Sequence, residues 1–467
     1  MQNLINYLKN KSIHIIGGTG AEGSSILRFL IKHDISGISV HDFLSEKTVE
    51  KSFKLWHKGV SNFEREKLFS QFCQDIEKVN FYMGDNYLEN IDKADIIFVP
   101  QSWRLYDKLN ASLARAKEKG IPFYSLTRLY LDFAPATIIG ITGTVGKGSV
   151  ANMLVQILKN SGKRVYFAGN ETWMIQLAEK LDEMFSSDLL ILEISHRQLQ
   201  DGFTKSPHIV AVTNLYPNHL DEMTWNRYKD LKLSLILPQS SSDYAVLNYD
   251  NDDLKDFASG IKSKIIYFSA KDKFMNNKSI QKIYDSYKNN NSVHYLENIL
   301  AASTISSLIG LSNGEILTQL KSVKPLPARL EYLGKINGIN IYDDIKSTTP
   351  WATMAAIQKM KGNTIIISGG KTKGIDYSQF GDMIKENCNK VIILKSELGD
   401  VLRKMLPQNL YVEAESLKEA LRFALDAAEF GDNILISPAA SFFYSDFIKG
   451  KASVRKLFTS LLQEGRA

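Results

Sequence analysis

The sequence has 467 residues, which is too long for one ordinary domain and suggests about three domains of roughly 150 residues each. Its 44% hydrophobic and 23% charged residues are typical of a globular protein that buries sizeable cores. The 57 basic and 51 acidic residues give a formal charge of +6, which suits an anionic small substrate and gives no indication of a nucleic-acid partner.

The cysteines and the first residues of the chain indicate the cellular compartment of the protein. Cys73 and Cys388 make neither a metal motif nor a disulfide framework. The N-terminal residues include lysines where a signal peptide needs an unbroken apolar core, and no apolar run is long enough to cross a membrane. We therefore expect a cytoplasmic protein without membrane insertion.

Residues 1–136 predict a first α/β unit, because short apolar runs alternate with helical patterns as in a parallel sheet covered on both faces. The polar stretch of residues 45–67 shows no clear pattern. The predicted strands are Ser12–Gly17, Gly37–His41, Val79–Met83, Ala94–Val99 and Pro122–Ser125, and the predicted helices are Ser24–Lys32 and Asn110–Lys119.

A glycine-rich turn follows the first of these strands. Gly18, Gly20 and Gly23 form a G-x-G-x-x-G motif before a helical pattern, and Asp42 ends the next strand. This is the dinucleotide-binding fingerprint, and read alone it indicates an NAD-dependent oxidoreductase. The motif is weakly specific, since the same turn can hold the diphosphate of a UDP-sugar.

Two further α/β units follow, over residues 137–326 and 327–467, with residues 321–327 (KSVKPLP) as a linker. The sequence therefore predicts an α/β protein with a Rossmann-like N-terminal domain, a central P-loop-type ATPase domain with a mainly parallel sheet, and a Rossmann-like C-terminal domain. The strands predicted in these units are Thr137–Thr142, Arg164–Ala168, Leu189–Glu193, Ile209–Thr213, Tyr244–Leu247, Ile265–Phe268, Ile339–Asp343, Thr364–Ser368, Lys390–Leu394 and Asn433–Ser437, and the helices include Asn298–Leu311, Thr353–Met360 and Leu417–Phe430.

The segment GTVGKGS joins a predicted strand to a helical pattern, and we call it the phosphate loop. Its glycines allow successive backbone N–H groups to turn towards an anion, and the helix directs its positive end there. Lys147 is expected to pair with the β and γ phosphates, and Ser149, or less directly Thr144, offers a hydroxyl to Mg²⁺. Because Gly148 follows the lysine, the strict G-x-x-x-x-G-K-[ST] pattern is not met, and a glycine-rich turn without a ligand is the alternative. The predicted ATP-binding residues of this loop are Gly143, Thr144, Val145, Gly146, Lys147, Gly148 and Ser149.

The G-T-x-G-K segment resembles the ATP loop of the Mur ligase superfamily, which comprises amide ligases of peptidoglycan precursor synthesis and folylpolyglutamate synthase. LEISHRQL resembles the family motif E-[LI]-S-S-x-Q-L, and TNLYPNHLD resembles T-N-x-x-x-D-H-[LM]-D. A lysine four residues after Tyr228 matches one that CO₂ carbamylates in the family, where the carbamate presents carboxylate-like oxygens to Mg²⁺. The resemblance implies a catalytic group of Lys147, Glu193, His219 and Lys232, and a metal site of Ser149, Glu193, His219 and Lys232.

The resemblance also covers the nucleotide side. Asn298 in HYLENILAAS resembles an asparagine that faces the adenine, and Arg329 in LPARLEYL fits an arginine that reaches the γ-phosphate from the third domain. Asp344 and Lys346 in IYDDIKSTTP complete the nucleotide contacts. Such an arginine would make domain closure a condition for catalysis.

The loop DDIKSTTP resembles the D-S-K-A-T-N-type loop of the D-glutamate-adding members, whereas other members carry a histidine-containing D-x-x-H loop. Two later segments, ISGGKTKGIDYSQF and LISPAASFFYSDFIKGK, also resemble that branch. The resemblance implies amino-acid-binding residues Thr348, Lys373, Ser441 and Phe447, and UDP-substrate-binding residues Gly18, Gly20, Ala21, Glu22, Asp42 and Asn170.

As a whole, the resemblance implies a monomeric enzyme that joins D-glutamate to UDP-N-acetylmuramoyl-L-alanine through an acyl phosphate. Its cofactors would be ATP, Mg²⁺ and a CO₂-derived carbamate on lysine. Two alternatives are a related ATP-dependent carboxylate–amine ligase with another nucleotide-linked substrate and a non-catalytic Mur-like nucleotide-binding protein.

Overall fold

The computed structural model contains three β-sheets that follow one another along the chain. Among the described residues, no helix combines the length and the apolar character needed to cross a membrane. The structure describes residues 2–57, 59–101, 103, 110–170, 178–271, 280–289, 293–441 and 454–463.

The first sheet is parallel, with its strands in the order β3-β2-β1-β4-β5. All five predicted strands are present, and the polar stretch without a clear pattern holds α3 and the start of α4. The strands are β1 Ile13–Ile16, β2 Ile38–Asp42, β3 Asn80–Met83, β4 Ile96–Phe98 and β5 Phe123–Tyr124. The helices are α1 Gln2–Leu8, α2 Ala21–Lys32, α3 Val49–Trp56, α4 Asn62–Ile76, α5 Ala111–Glu118 and α6 Leu126–Phe133.

The second sheet is also parallel, in the order β11-β10-β9-β6-β8-β7, so that β6 lies at its centre. Its six strands all overlap predicted ones. They are β6 Thr137–Thr142, β7 Val165–Gly169, β8 Leu189–Glu193, β9 Ile209–Val212, β10 Tyr244–Asn248 and β11 Lys264–Phe268. The helices are α7 Lys147–Asn160, α8 His196–Leu199, α9 Trp225–Leu233, α10 Asp252–Phe257, α11 Gln281–Tyr287, α12 Val293–Leu308 and α13 Asn313–Leu320.

The third sheet has the order β12-β13-β17-β14-β15-β16, and only the β12–β13 pair is antiparallel. The two outermost strands, β12 and β16, were not predicted. The strands are β12 Glu331–Ile336, β13 Ile339–Asp343, β14 Thr364–Ser368, β15 Lys390–Leu394, β16 Tyr411–Ala414 and β17 Asn433–Ile436. The helices are α14 Pro350–Lys359, α15 Ser378–Asn387, α16 Glu397–Met405, α17 Leu417–Ala427 and α18 Val454–Gln463, and short 3₁₀ helices span Glu46–Thr48, Gly84–Asn86, Ile91–Lys93, Ala178–Glu183, Ala258–Gly260 and Gln408–Leu410.

The buried apolar side chains connect the first two sheets. One continuous cluster runs from strand β1 through helix α6 to strands β8 and β9. The third sheet has apolar clusters of its own on its two faces. Because parallel strands bring their carboxyl ends to one edge, the loops after β6, β8 and β9 meet there, and the candidate site lies among them.

Candidate functional site

The phosphate loop is shaped by two glycines with positive φ angles. Gly143 has φ 136° and Gly146, which precedes α7, has φ 89°. A Cβ atom would lie 2.0 Å from Thr213 Oγ1 at the first position and 2.4 Å from Asn298 Oδ1 at the second. Neither position can hold a larger residue without displacing its neighbours, so the loop needs glycine for both conformation and space.

The segment after β9 holds the phosphate loop in place. The N–H of Val145 donates to Asn214 Oδ1 at 2.8 Å, and the hydroxyl of Thr213 donates to the carbonyl of Val145 at 2.6 Å. The hydroxyl of Thr144 donates to the carbonyl of Tyr216 at 3.1 Å. The T-N pair of the TNLYPNHLD motif therefore fixes the loop, a role that was not predicted.

Lys147 is the first residue of α7, and its ammonium lies against the loop, donating to the carbonyl of Thr144 at 3.1 Å. Ser149 lies one residue beyond Gly148 in the first turn of the same helix. Backbone N–H groups, a lysine and a hydroxyl at a helix N-terminus form an arrangement able to bind a phosphate chain.

Lys232 and Glu193 lie beneath the loop. The Lys232 ammonium is 1% exposed and donates to the carbonyl of Gly143 at 2.7 Å. Burial, reinforced by the charge of Lys147 and opposed by Glu193, lowers the pKa of Lys232 well below its ordinary value. An uncharged amine is the form that reacts with CO₂, so this environment suits carbamylation.

Asn170, predicted among the UDP-substrate residues, lies next to Glu193 at the end of β7. Its side-chain amide donates to Glu193 Oε1 at 3.2 Å, and its backbone N–H donates to the Glu193 carbonyl at 2.7 Å. In this structure Asn170 therefore orients a predicted metal ligand, and its contact with the UDP substrate stays a prediction.

His219 belongs to a cluster with His196 and Glu222, two residues that the sequence interpretation did not include. One ligand atom from each lies within 4.8 Å of the other two. Burial lowers the pKa of His196 to about 3 and that of His219 to about 4, opposed in both cases by Glu222. Both imidazoles are thus uncharged near neutral pH and have lone pairs available. The signal that could have revealed this cluster is His196 itself, which stands at the second serine of the E-[LI]-S-S-x-Q-L motif.

Two predicted amino-acid-binding residues, Lys373 and Thr348, are in contact, and a third, Ser441, pairs with a residue close to Lys373 in the chain. Lys373 Nζ donates to the carbonyl of Thr348 at 2.9 Å, and Ser441 pairs through its backbone with Lys371. Burial, together with the charges of Lys147 and Arg197, lowers the pKa of Lys373 to about 8. Phe447, the fourth predicted residue, lies outside the described residues.

The Lys373 loop touches the His219 loop. The backbone N–H of Leu220 donates to the carbonyl of Lys373 at 2.8 Å, and Asp221 N lies 2.9 Å from where Gly374 would carry a Cβ. The group of residues from the third sheet therefore lies beside the loops of the second sheet, and a cation able to bind a carboxylate lies close to the phosphate loop.

The predicted nucleotide residues of the third sheet also cluster. Arg329 Nη1 donates to the carbonyl of Lys346 at 2.7 Å. Asp344 accepts from the N–H of Leu330 at 2.9 Å and from the hydroxyl of Ser437 at 2.7 Å, and burial raises its pKa to about 6. Asp344 thus fixes the backbone next to Arg329. Asn298 lies against Gly146 at the start of α7, so a contact with adenine stays a prediction.

The N-terminal glycine turn is closed by Asp42. Both the N–H and the hydroxyl of Thr19 donate to Asp42 Oδ2, at 3.0 and 2.7 Å. Gly20 precedes α2, and a Cβ at Gly23 would lie 2.4 Å from the carbonyl oxygen of Gly17.

Gly18, Ala21 and Glu22 complete the turn. A Cβ at Gly18 would lie 2.2 Å from Val40 Cγ1, and Ala21 is the first residue of α2. Burial, with the charge of Asp201, raises the pKa of Glu22 to about 7 although a backbone hydrogen bond from Gln101 opposes it. A partly protonated carboxyl repels a diphosphate less than a fully charged one does.

Comparison with known proteins places this arrangement in a family. A model described as the Mur ligase middle domain matches residues 141–315, and one described as the Mur ligase glutamate ligase domain matches residues 328–440. The chain belongs to the Mur ligase family of ATP-dependent ligases.

Its relatives include proteins named UDP-N-acetylmuramoylalanine–D-glutamate ligase. One from Thermoanaerobacter sp. is 29% identical over 93% of this chain and 94% of its own length. One from Caldanaerobacter subterraneus is 31% identical over 70% of this chain and 76% of its own, and one from Streptococcus mutans is 30% identical over 78% and 82%.

Solved structures share the fold. A pseudomurein peptide ligase type C from Methanothermus fervidus has a TM-score of 0.60 at 18% identity, covering 97% of this chain and 100% of its own. The UDP-N-acetylmuramate-alanine ligase of Thermotoga maritima has a TM-score of 0.57 at 14% identity, covering 97% and 100%.

Proposed function

We propose that this ligase joins D-glutamate to the L-alanine carboxylate of UDP-N-acetylmuramoyl-L-alanine, using ATP, in peptidoglycan precursor synthesis. The observation that supports the proposal is the hydrogen bond from the Leu220 N–H to the carbonyl of Lys373, which joins the loop of a predicted amino-acid-binding lysine to the loop that carries His219. The names of the full-length relatives support the same substrates.

We further propose that each sheet belongs to a domain with its own ligand. Residues 1–136 bind the UDP substrate at the turn of Gly18, Gly20, Ala21 and Glu22 with Asp42. Residues 137–326 bind ATP, and residues 327–467 bind the amino acid. The enzyme acts as a cytoplasmic monomer.

The nucleotide binds through the N–H groups of the phosphate loop and Lys147, with Asn298 towards the adenine. Arg329, held by Lys346 and by the backbone that Asp344 fixes, neutralises charge at the γ-phosphate.

The donor set beneath the loop fits Mg²⁺. We propose as donors the carboxylate of Glu193 and the hydroxyl of Ser149, which are the oxygen ligands that this ion prefers, together with the carbamate oxygens on Lys232 and the imidazole of His219. When bound, Mg²⁺ neutralises charge on the phosphates during transfer.

The reaction has two steps. A substrate carboxylate oxygen attacks the γ-phosphorus, the bond to ADP breaks, and an acyl phosphate forms. The uncharged amine of D-glutamate then attacks the carbonyl carbon, and the tetrahedral intermediate expels phosphate to leave the amide. Lys373 and Ser441 hold glutamate carboxylates, while Lys147 and Arg329 stabilise the charge that moves on to the phosphoryl oxygens.

The test is phosphate release from ATP with Mg²⁺, bicarbonate and UDP-N-acetylmuramoyl-L-alanine, in the presence of D-glutamate, L-glutamate or neither. We expect release only with the UDP substrate and D-glutamate. Lys373→Met should raise the KM for D-glutamate about tenfold or more, because a charge-assisted contact with the carboxylate is lost. Lys395→Met, which removes an exposed lysine paired with Glu415, is the control and should behave as wild type.

The other outcomes are equally informative. Turnover with a different amino acid would support the proposed reaction but show that its amine substrate is not D-glutamate. Nucleotide binding without turnover under any condition would contradict the proposal and favour a Mur-like binding protein.

A further inference from the structure

The cluster of His196, His219 and Glu222 has the geometry of a divalent metal site. His219 Nδ1 lies 3.0 Å from Glu222 Oε1, and His196 Nε2 lies 3.5 Å from Glu222 Oε2. The two imidazole rings are 4.2 Å apart between centroids. Ligand atoms around one tetrahedral ion with bonds of about 2.0–2.2 Å are separated by about 3–4 Å, so small side-chain adjustments would close this group on an ion.

His196 provides a second, independent indication of a ligand. It is 5% exposed, and its Nε2 atom makes no hydrogen bond of regular geometry in the described part of the chain, where the polar atom that it faces is Glu222 Oε2 at 3.5 Å. A buried polar atom without a partner is rare because it loses its water without compensation. This atom faces Glu222, and a bound cation would satisfy it.

The backbone holds both histidines firmly. His196 opens α8 directly after Ser195, whose side chain and that of Gln198 form a reciprocal capping box. His219 has φ 57°, an uncommon conformation for a residue other than glycine, and its N–H donates to Asn218 Oδ1 at 3.1 Å. Two separate loops of the second sheet thus present their imidazoles to one point.

We propose that His196, His219 and Glu222 form a nitrogen-rich site that binds a transition-metal ion such as Co²⁺, Mn²⁺ or Zn²⁺ in preference to Mg²⁺. Two imidazoles and one carboxylate are typical ligands of these metals, whereas Mg²⁺ prefers oxygen donors and keeps its water. His219 is shared with the proposed Mg²⁺ ligands, but His196 and Glu222 are not among them. The inference concerns metal binding alone, so it stands or fails independently of the amino-acid substrate.

Arg197 is the competing partner of Glu222. Its Nε lies 3.3 Å from Glu222 Oε2, and its Nη2 pairs with Oε1. Without a metal, Glu222 is therefore held as the centre of an ion-pair network. A cation bound between the imidazoles would share this carboxylate with Arg197.

The experiment titrates the full-length, chelator-treated protein with Co²⁺ alone, following its visible absorption, and repeats the titration in excess Mg²⁺. We expect one equivalent of Co²⁺ to give a d–d spectrum that excess Mg²⁺ does not abolish. Loss of a direct ligand costs more than the tenfold to hundredfold of an outer-shell change, so His196→Ser and Glu222→Gln should each weaken Co²⁺ binding more than about a hundredfold.

His208→Ser is the matched control, because His208 is also paired with a carboxylate, Asp243, at 2.8 Å, but lies outside the cluster. It should keep the wild-type Co²⁺ affinity. Thermal melts show whether each variant is folded. Should His196→Ser fail to fold, Glu222→Gln still tests the proposal, because glutamine has the same shape as glutamate. Unchanged Co²⁺ affinity in the folded variants, or loss of binding only in Glu193→Gln, would overturn the proposal.

Discussion

Gly146 and Asn298 together determine the conformation of the phosphate loop. The residue before α7 must turn with a positive φ angle, and the Asn298 side chain fills the space where a Cβ would lie. The positive φ angle and the lack of space both restrict Gly146, so the backbone N–H groups that follow it have a fixed orientation at the start of α7.

Gly146→Ala should therefore weaken ATP binding about tenfold or more, because a strained left-handed residue costs about 1–3 kcal/mol and the added methyl displaces Asn298. Isothermal titration with a non-hydrolysable ATP analogue measures this effect. Gly162→Ala is the control, since Gly162 has φ 78° beyond the other end of α7 but no atom within 4 Å of its Cβ position. Equal losses in the two variants would show that the Asn298 contact is unimportant.

His14 and His41 form a buried chain of hydrogen bonds in the first sheet. The carbonyl of Tyr87 can only accept, so His41 donates to it from Nδ1 at 2.5 Å. His41 Nε2 then accepts from His14 Nδ1 at 2.8 Å, and His14 Nε2 faces the hydroxyl of Ser12 at 3.3 Å. The two imidazoles cannot both be charged, because the contact between His41 Nε2 and His14 Nδ1 needs one acceptor. Burial, with the charge of His41, lowers the pKa of His14 to about 4.

This chain predicts acid sensitivity. The unfolded chain binds a proton at His14 near pH 6.5 and the native state only near pH 4, so stability is complete above pH 6.5 and falls as the pH drops through that window. We expect His14 to contribute a loss of about 1 kcal/mol per pH unit, measured as the difference between wild type and His14→Gln in urea unfolding between pH 7 and 5. His14→Gln should make the decline shallower. An identical slope in wild type and His14→Gln would contradict this account.

Polar side chains of helix α2 connect the first sheet to a segment of the second. Arg28 pairs with Glu179 at 2.5 Å, and Ser25 Oγ donates to the same carboxylate at 2.5 Å. Further along, His33 meets Asp182 at 2.9 Å. All three contacts reach the 3₁₀ helix Ala178–Glu183, so this short element binds α2 and the residue that follows it through polar side chains.

Arg28→Met should destabilise the protein by about 3 kcal/mol, because the partly buried carboxylate of Glu179 keeps the Ser25 hydroxyl but loses its charged partner. The double variant with Glu179→Met should lose less than the sum of the two single changes, which urea unfolding can measure as a coupling energy. Lys395→Met removes an exposed ion pair and should leave the free energy of unfolding unchanged within the error of the measurement. Strict additivity of the two single changes would rule out the pair as a coupled contact.

At the scale of the whole molecule, the three sheets are joined differently. The first and second share a continuous apolar core. The third meets the second through polar and aromatic contacts, such as the stacked rings of Tyr216 and Trp351 at 5.2 Å and the hydrogen bond from Leu220 to Lys373. Contacts of this kind open at lower cost than a shared core, which would suit the closure of the third unit that the resemblance at Arg329 predicts.

The sequence predicted most strands because central parallel strands are buried on both faces and read as continuous apolar runs, as in ILIS after Asn433. The strands β12 and β16 were not predicted, because they lie at sheet edges and expose polar residues, as Tyr411–Ala414 does. The phosphate loop was predictable because its function depends on local sequence. The grouping of His196 with His219 and Glu222 was not, since two separate loops meet there only after folding.

The central claim is that the phosphate loop holds ATP so that a carboxylate can be activated. The most direct test uses UDP-N-acetylmuramoyl-L-alanine with both oxygens of its L-alanine carboxylate labelled with ¹⁸O, incubated with ATP, Mg²⁺ and D-glutamate. Attack of one labelled oxygen on the γ-phosphorus, followed by expulsion of phosphate, predicts one ¹⁸O atom in each released phosphate and one in the amide product, both measured by mass spectrometry. Phosphate released without ¹⁸O would contradict the claim, because the γ-phosphoryl group would then have passed to water.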